Sequence, residues 1–238
     1  DLRHPEGLPH RVRVHRPALL GRVAAADDAL HAVHDPGMLS YLKTAHEEWV
    51  DAGYPEEHGQ GHVVAYAWPH PGAFGHLTPR VPASRAARAG LYCMDTCTTL
   101  GTGSYRGIRY AVDAALTAAD LVLGGQNAAY AAVRPPGHHA GTDYFGGSCY
   151  LNNAAITAQY LSDAGVGRVG IIDIDAHHGN GTQQVFYERG DVVNLHVLAM
   201  ENPAAAGERF GCEPRPQRHA CCMRIAGGDA ECPWGCGG

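Results

Sequence analysis

The densest chemistry in the sequence lies in Asp173-Ile174-Asp175-Ala176-His177-His178-Gly179-Asn180-Gly181, which closes an apolar run starting at Val169. Alternate residues of an extended strand face the same way, so Asp173 and Asp175 project together, and His177 continues the row if the extension persists. Two carboxylates leaving an apolar strand repel one another and are costly to desolvate unless a cation neutralises them. Carboxylate oxygen and imidazole nitrogen suit zinc, manganese or iron, and the lack of cysteine in the stretch argues against a thiolate site. The competing reading is structural: two strand-end aspartates capping the next helix beside solvated histidines.

A second segment, Arg134-Pro135-Pro136-Gly137-His138-His139-Ala140-Gly141, sets a Pro-Pro-Gly turn ahead of two imidazoles. Imidazoles beside an activated water take its proton and return it to a leaving group. The chain holds 16 histidines, and at that density about one His-His pair arises by chance. His138-His139 and His177-His178 therefore carry weight only through their surroundings. In a third segment, Phe145-Gly146-Gly147-Ser148-Cys149-Tyr150-Leu151-Asn152-Asn153, the glycines let the backbone approach a ligand, and the asparagines suit a helix cap.

These segments need elements to hold them. Asp35-Pro36 joins an N-cap residue to proline at the first helical position, and Leu39, Leu42, Trp49 and Val50 follow as an approximate helical stripe that Gly53 ends. Residues 54–90, with Pro55, Pro69, Pro71, Pro79 and Pro82, read as a long irregular excursion. Residues 105–123 read as an Ala- and Leu-rich helix closed by Gly124-Gly125, and 154–164 as a helix ended by Gly165. Short apolar runs at 130–133, 169–175 and 192–197 read as strands, the first two buried. Such alternation predicts an α/β domain around a mostly parallel sheet. Ligands of such sheets sit beyond the carboxyl ends of the strands, where both His-His pairs fall.

Composition narrows the classes. With 238 residues, 45% hydrophobic and 18% charged, the chain has the make-up of a globular domain with a real core. A net charge of −6 with 18 Lys and Arg argues against direct nucleic-acid binding. No apolar run suggests a membrane span. The opening Asp1-Leu2-Arg3-His4-Pro5 lacks both Met and an apolar stretch, so it reads as a segment of something longer without a visible signal peptide. Cys93, Cys97 and Cys149 are scattered, which suits free thiols in a reducing, cytoplasmic setting. Cys212, Cys221, Cys222, Cys232 and Cys236 crowd the C-terminal tail. There Cys232 and Cys236 allow a zinc knuckle, but a disordered or aberrant terminus is the preferred reading.

Taken together and in this order, residues 134–141, 145–156 and 171–191 resemble the zinc-dependent histone deacetylase family, and within it the bacterial acetylpolyamine amidohydrolases and class II-like deacetylases. A looser likeness runs from about residue 27 to about 196, and the Pro-rich excursion resembles the loop that narrows the substrate channel of the amidohydrolases. The resemblance implies a three-layer arginase/deacetylase-like sandwich around a central parallel sheet. It implies that Asp175 and His177 are two of three Zn2+ ligands, and that His138 and His139 handle the proton and polarise the attacking water. Asp173 and Asn180 would stand behind those histidines to orient them. Gly147 matches a position lining the acyl tunnel, and the backbone around Asp173, Asp175 and His177 matches a K+ site. The implied reaction is hydrolysis of an acetyl amide, with a small acetylated amine or acetyl-lysine as substrate and a homodimer as the expected assembly.

The departures are specific. Ser148 stands where the family usually has an aromatic tunnel wall, so the channel is expected to be wider and to grip an alkyl linker less well. The family's third ligand, an Asp, its oxyanion-stabilising Tyr and a Gly-rich loop find no match after Asp191; Asp229 does not sit in the motif. The expected organisation is therefore a deacetylase-like portion over 1–197, incomplete at its C-terminal side. Residues 198–238 would be an unmatched Pro-, Gly- and Cys-rich tail, such as a frameshift or a truncated paralogue produces. This exact chain is expected to be impaired, since loss of one oxyanion donor typically lowers kcat by about 10²–10³. The rival readings are a non-catalytic binding module that keeps the fold and, as a weaker case, an arginase-type manganese hydrolase.

Overall fold

The computed structural model describes residues 23–55, 59–68, 80–197 and 220–223. Among these residues the helices α1 (Val23–Val33), α2 (Pro36–Asp51), α3 (Arg85–Tyr92), α4 (Ser104–Leu123) and α5 (Asn153–Asp163) precede the strands. Then follow β1 (Val169–Asp173), α6 (Asn180–Phe186), β2 (Val192–Val197) and β3 (Ala220–Met223). The strands form a parallel sheet in the order β1-β2-β3, with Val169 opposite Val192 and Asp173 opposite His196. A parallel pair needs a crossover, and α6 supplies it between β1 and β2.

Local chemistry sets several boundaries. The Asp35 side chain accepts the Met38 N–H, with Pro36 inside the first turn of α2. Asn152 caps α5 through the Ala155 N–H. Along α4, Ile108, Ala111, Val112, Leu116 and Ala119 are buried at helical spacing. α1 and α4 pack on α5, α5 packs on β1, and α3 packs on α2. Trp49, Phe145, Phe186, Leu30, Ile108 and Ile156 fill the core between them.

Three expectations need correction. The excursion over 54–90 is not irregular throughout: α3 begins inside it and runs past its end, held to α2 where Glu48 receives Arg88 at 2.9 Å and Arg85 at 3.4 Å. Residues 130–133 form no strand. They carry no regular structure and no ladder bonds, and Tyr130 is 91% exposed. The strand at β1 is not buried throughout. Val169, Ile171 and Asp173 are half-buried, the first two against the core, whereas Gly170 and Ile172 are exposed. In the tail, β3 adds a strand that the composition did not predict. Cys232 and Cys236, and with them the knuckle reading, lie outside the described residues.

Candidate active site

Beyond Asp173 the chain leaves the strand, and residues 174–179 carry no regular structure before α6 begins at Asn180. The row expected of Asp173, Asp175 and His177 therefore divides. Asp173 turns inward, with a side chain 12% exposed, and its Oδ2 accepts the Nδ1 proton of His138 at 2.7 Å. Asp175 and His177 stay at the surface, 50% and 78% exposed, and bond to each other at 2.9 Å. The His177 N–H also reaches the Asp175 carboxylate, at 2.7 Å.

His139 mirrors its neighbour with a different partner. Its Nδ1 donates to Asn180 Oδ1 at 2.7 Å, and the Asn180 amide donates onward to the Tyr144 hydroxyl at 3.1 Å. The two tandem rings lie 4.1 Å apart, and the His177 ring approaches His139 edge-on at 6.1 Å. Gly147 makes room for this cluster: a Cβ there would stand 2.3 Å from His139 Cδ2. Gly181 does the same from below, since a Cβ would fall 2.3 Å from the Ala140 carbonyl oxygen. That carbonyl accepts the Asn152 amide at 3.0 Å. The eight residues singled out from the sequence lie on three segments: His138 and His139, Gly147 and Ser148, and the stretch from Asp173, which ends β1, through Asp175 and His177 to Asn180, which opens α6.

The electrostatics of the cluster centre on Asp173. The Asp173 hydrogen bond raises the His138 pKa against the opposing effect of burial. Burial opposes charge on Asp173, but its bonds from His138 and from the Asp175 N–H outweigh this and keep it below the ordinary carboxylate value. Asp175 is lowered chiefly by the His177 N–H. Behind Asp173, the buried His196 lies 3.5 Å away, and burial pushes its pKa down.

Asp175 and His177 offer the oxygen and nitrogen donors that zinc takes. Among the described residues, however, no three His, Cys, Asp or Glu side chains converge as a metal-holding group. A catalytic zinc uses three protein ligands, so the donor types fit while the described set stops at two.

Three supporting residues escaped the sequence reading. Tyr144 receives the Asn180 amide, and Gln184 Oε1 accepts the Thr142 N–H at 2.7 Å. The third is His34, wholly buried: its Nδ1–H donates to the Gly141 carbonyl at 2.8 Å and its Nε2 accepts the Asn152 N–H at 3.0 Å. Only its place in His34-Asp35-Pro36, beside a strong helix start, signalled a fixed position.

Comparison with known proteins agrees with the motif reading. Residues 6–205 match the family model described as histone deacetylase domain. An acetylpolyamine amidohydrolase of Mycoplana ramosa is 43% identical over 180 residues, 75% of this chain and 49% of that protein. Acetylpolyamine amidohydrolase 2 of Pseudomonas aeruginosa is 36% identical over 178 residues, 73% of this chain and 49% of its own. The crystal structure of an acetylpolyamine aminohydrolase from Burkholderia pseudomallei superposes with a TM-score of 0.67 at 37% identity, covering 79% of this chain and 50% of that one. The chain spans about half the length of the curated relatives it matches.

Proposed function

The chain belongs to the histone deacetylase domain family, and we propose that the whole protein hydrolyses the acetyl amide of a small acetylated amine, with an acetylpolyamine preferred over acetyl-lysine. The observation that carries this reading is the pairing of adjacent imidazoles with unlike partners: His138 with the Asp173 carboxylate and His139 with the Asn180 amide. The amidohydrolase relatives favour the polyamine.

Each Nδ1 proton is committed to its partner, so the second ring nitrogen is the one left for chemistry. His139, oriented by an uncharged amide, accepts the proton of the attacking water. His138, whose cation the Asp173 carboxylate favours, supports the negative charge that develops on the acetyl oxygen and delivers a proton to the departing nitrogen. Water adds to the acetyl carbon, the C–N bond breaks, and acetate and a protonated amine leave. The chemistry that zinc supplies when bound is polarisation of the acetyl carbonyl. Asp175 and His177 would hold it, together with a third donor from outside the described residues. Gly147 and Ser148 would line the acyl channel, and a serine rather than an aromatic wall leaves room for a broader amine. A three-layer sandwich is the proposed frame of the complete domain.

Acetate release from acetylputrescine and from an acetyl-lysine peptide by the full-length protein, before and after chelation, tests this. The expected result is turnover that chelation abolishes and zinc restores, faster with acetylputrescine. Absent or chelator-insensitive turnover would overturn it.

A further inference from the structure

Gly147 and Ser148 occupy an unusual piece of backbone. Gly146 and Cys149 exchange both main-chain hydrogen bonds, N–H to O at 3.0 and 2.9 Å, around two residues with φ of +56° and +65°. Successive positive φ values are what a tight two-residue hairpin turn demands. Glycine adopts them freely, whereas serine is strained there. Ser148 is also the only non-glycine with positive φ among the described residues.

The turn is held from outside. Both of its central N–H groups point away from the hairpin and are captured by one loop. The Gly147 N–H donates to Asp95 Oδ2 at 2.6 Å, and the Ser148 N–H donates to Thr98 Oγ1 at 2.8 Å. The Thr98 hydroxyl donates in turn to Asp95 Oδ2 at 2.9 Å. The other oxygen, Oδ1, takes the Cys97 and Thr98 N–H groups at 2.7 and 2.6 Å, which fixes the carboxylate on its own loop. Next to it, the Met94 N–H reaches the Phe145 carbonyl at 2.9 Å, tying the two loops at a second point. Partial burial works against charge on Asp95, yet the N–H donors of Gly147 and Thr98 hold it below the ordinary carboxylate value. On its inner side the turn presses on His139, where a Cβ on Gly147 would collide with the ring.

We propose that Asp95, acting directly on Gly147 and through Thr98 on Ser148, is the positioning residue of the acyl channel, holding a strained turn against His139 and so setting where the acetyl group sits. The proposal rests on the deacetylase reading of the site. It assigns Asp95 no contact with substrate and no part in proton transfer. Its effect reaches the chemistry only through the placement of the channel wall.

Asp95→Asn is the direct test. Asparagine keeps the shape and an oxygen for the Cys97 and Thr98 N–H groups, but turns an amide donor toward the Gly147 N–H. Amide hydrogen exchange at Gly146 and Cys149 reports the turn, because those amides bond within it and not to Asp95. In the full-length protein, exchange there is expected to rise at least about tenfold in Asp95→Asn, while α4 amides keep their wild-type rates. Adding Ser148→Gly relieves the strain and is expected to return Gly146 and Cys149 to near wild-type protection. With an acetylated amine as substrate, Asp95→Asn raises KM several-fold and changes kcat much less. Thr98→Val reproduces the effect and Thr98→Ser does not, which covers the case in which Asp95→Asn fails to fold. Unchanged exchange at Gly146 and Cys149, or no recovery on adding Ser148→Gly, overturns the proposal. Should the wild-type protein hydrolyse no acetylated amine, the deacetylase reading fails, and the exchange data still decide whether Asp95 holds the turn.

Discussion

The character of each tandem imidazole is decided by one atom behind it. His138 leans on a carboxylate and His139 on an amide, each at 2.7 Å, so adjacent residues of one type have unlike partners. Asp173→Asn replaces the carboxylate with a neutral group of the same shape and removes support for a charged His138. It is expected to lower kcat/KM about 10–100-fold, the usual effect of losing an orienting partner, with unfolding temperature little changed. Tyr144→Phe strips the Asn180 amide of its acceptor but leaves Asn180 Oδ1 bonded to His139. A loss under about tenfold is expected, and Asn180→Ala, which leaves nothing for the Tyr144 hydroxyl to hold, should make the Tyr144→Phe change nearly silent. A comparison of kcat/KM across these four proteins and the wild type settles both predictions. At this scale the sequence was informative about residue types. It could not show that Asp173 turns inward while Asp175 and His177 stay exposed, because that division depends on where β1 ends.

The elements were legible where their signals are local. Asp35-Pro36 and Asn152 announce the starts of α2 and α5 through capping, a matter of three or four neighbouring residues. The stripe of α4 is likewise local. α3 was missed because its sequence, Arg-Ala-Ala-Arg-Ala-Gly-Leu-Tyr, sits beside prolines and is secured by Glu48, some 40 residues earlier on α2. The run at 130–133 misled in the opposite sense. Tyr-Ala-Ala-Val suits a strand, but pairing is a property of two segments, and here the second is missing among the described residues. Asn152 shows how an element serves the site. Fully buried, it caps α5, donates to the Ala140 carbonyl and donates to Thr182 Oγ1 on α6. Asn152→Ala removes the cap and leaves those buried acceptors unmatched. A stability loss of about 2–4 kcal/mol is expected in urea titrations, combining a cap with buried hydrogen bonds.

At the scale of the molecule, segments more than a hundred residues apart meet at His34, which bonds to Gly141 and to Asn152. Burial pushes its pKa down to about 4, and protonation of Nε2 would break its bond from Asn152. The unfolded chain protonates this histidine near pH 6.5 while the folded chain resists, so its contribution to stability is intact above that pH and is eroded as pH falls toward 4. Urea titrations of the wild type and of His34→Gln at pH 7 and pH 4.5 are expected to show a drop specific to the wild type, approaching about 3 kcal/mol at the full extent of the shift. No sequence pattern announced this contact, since His34 is one of 16 histidines and its partners lie far along the chain. The three motif segments, by contrast, were readable as a set, and residues 6–205 match the histone deacetylase domain. The central claim is that the tandem pair carries the proton work of an acetyl-amide hydrolase. The measurement that meets it most directly is acetate release from acetylputrescine by the zinc-loaded full-length protein beside its His138→Ala/His139→Ala variant, with unfolding temperatures matched. A loss of at least about 10³ in kcat is the predicted result; a double variant that stays within tenfold of the wild type would contradict it.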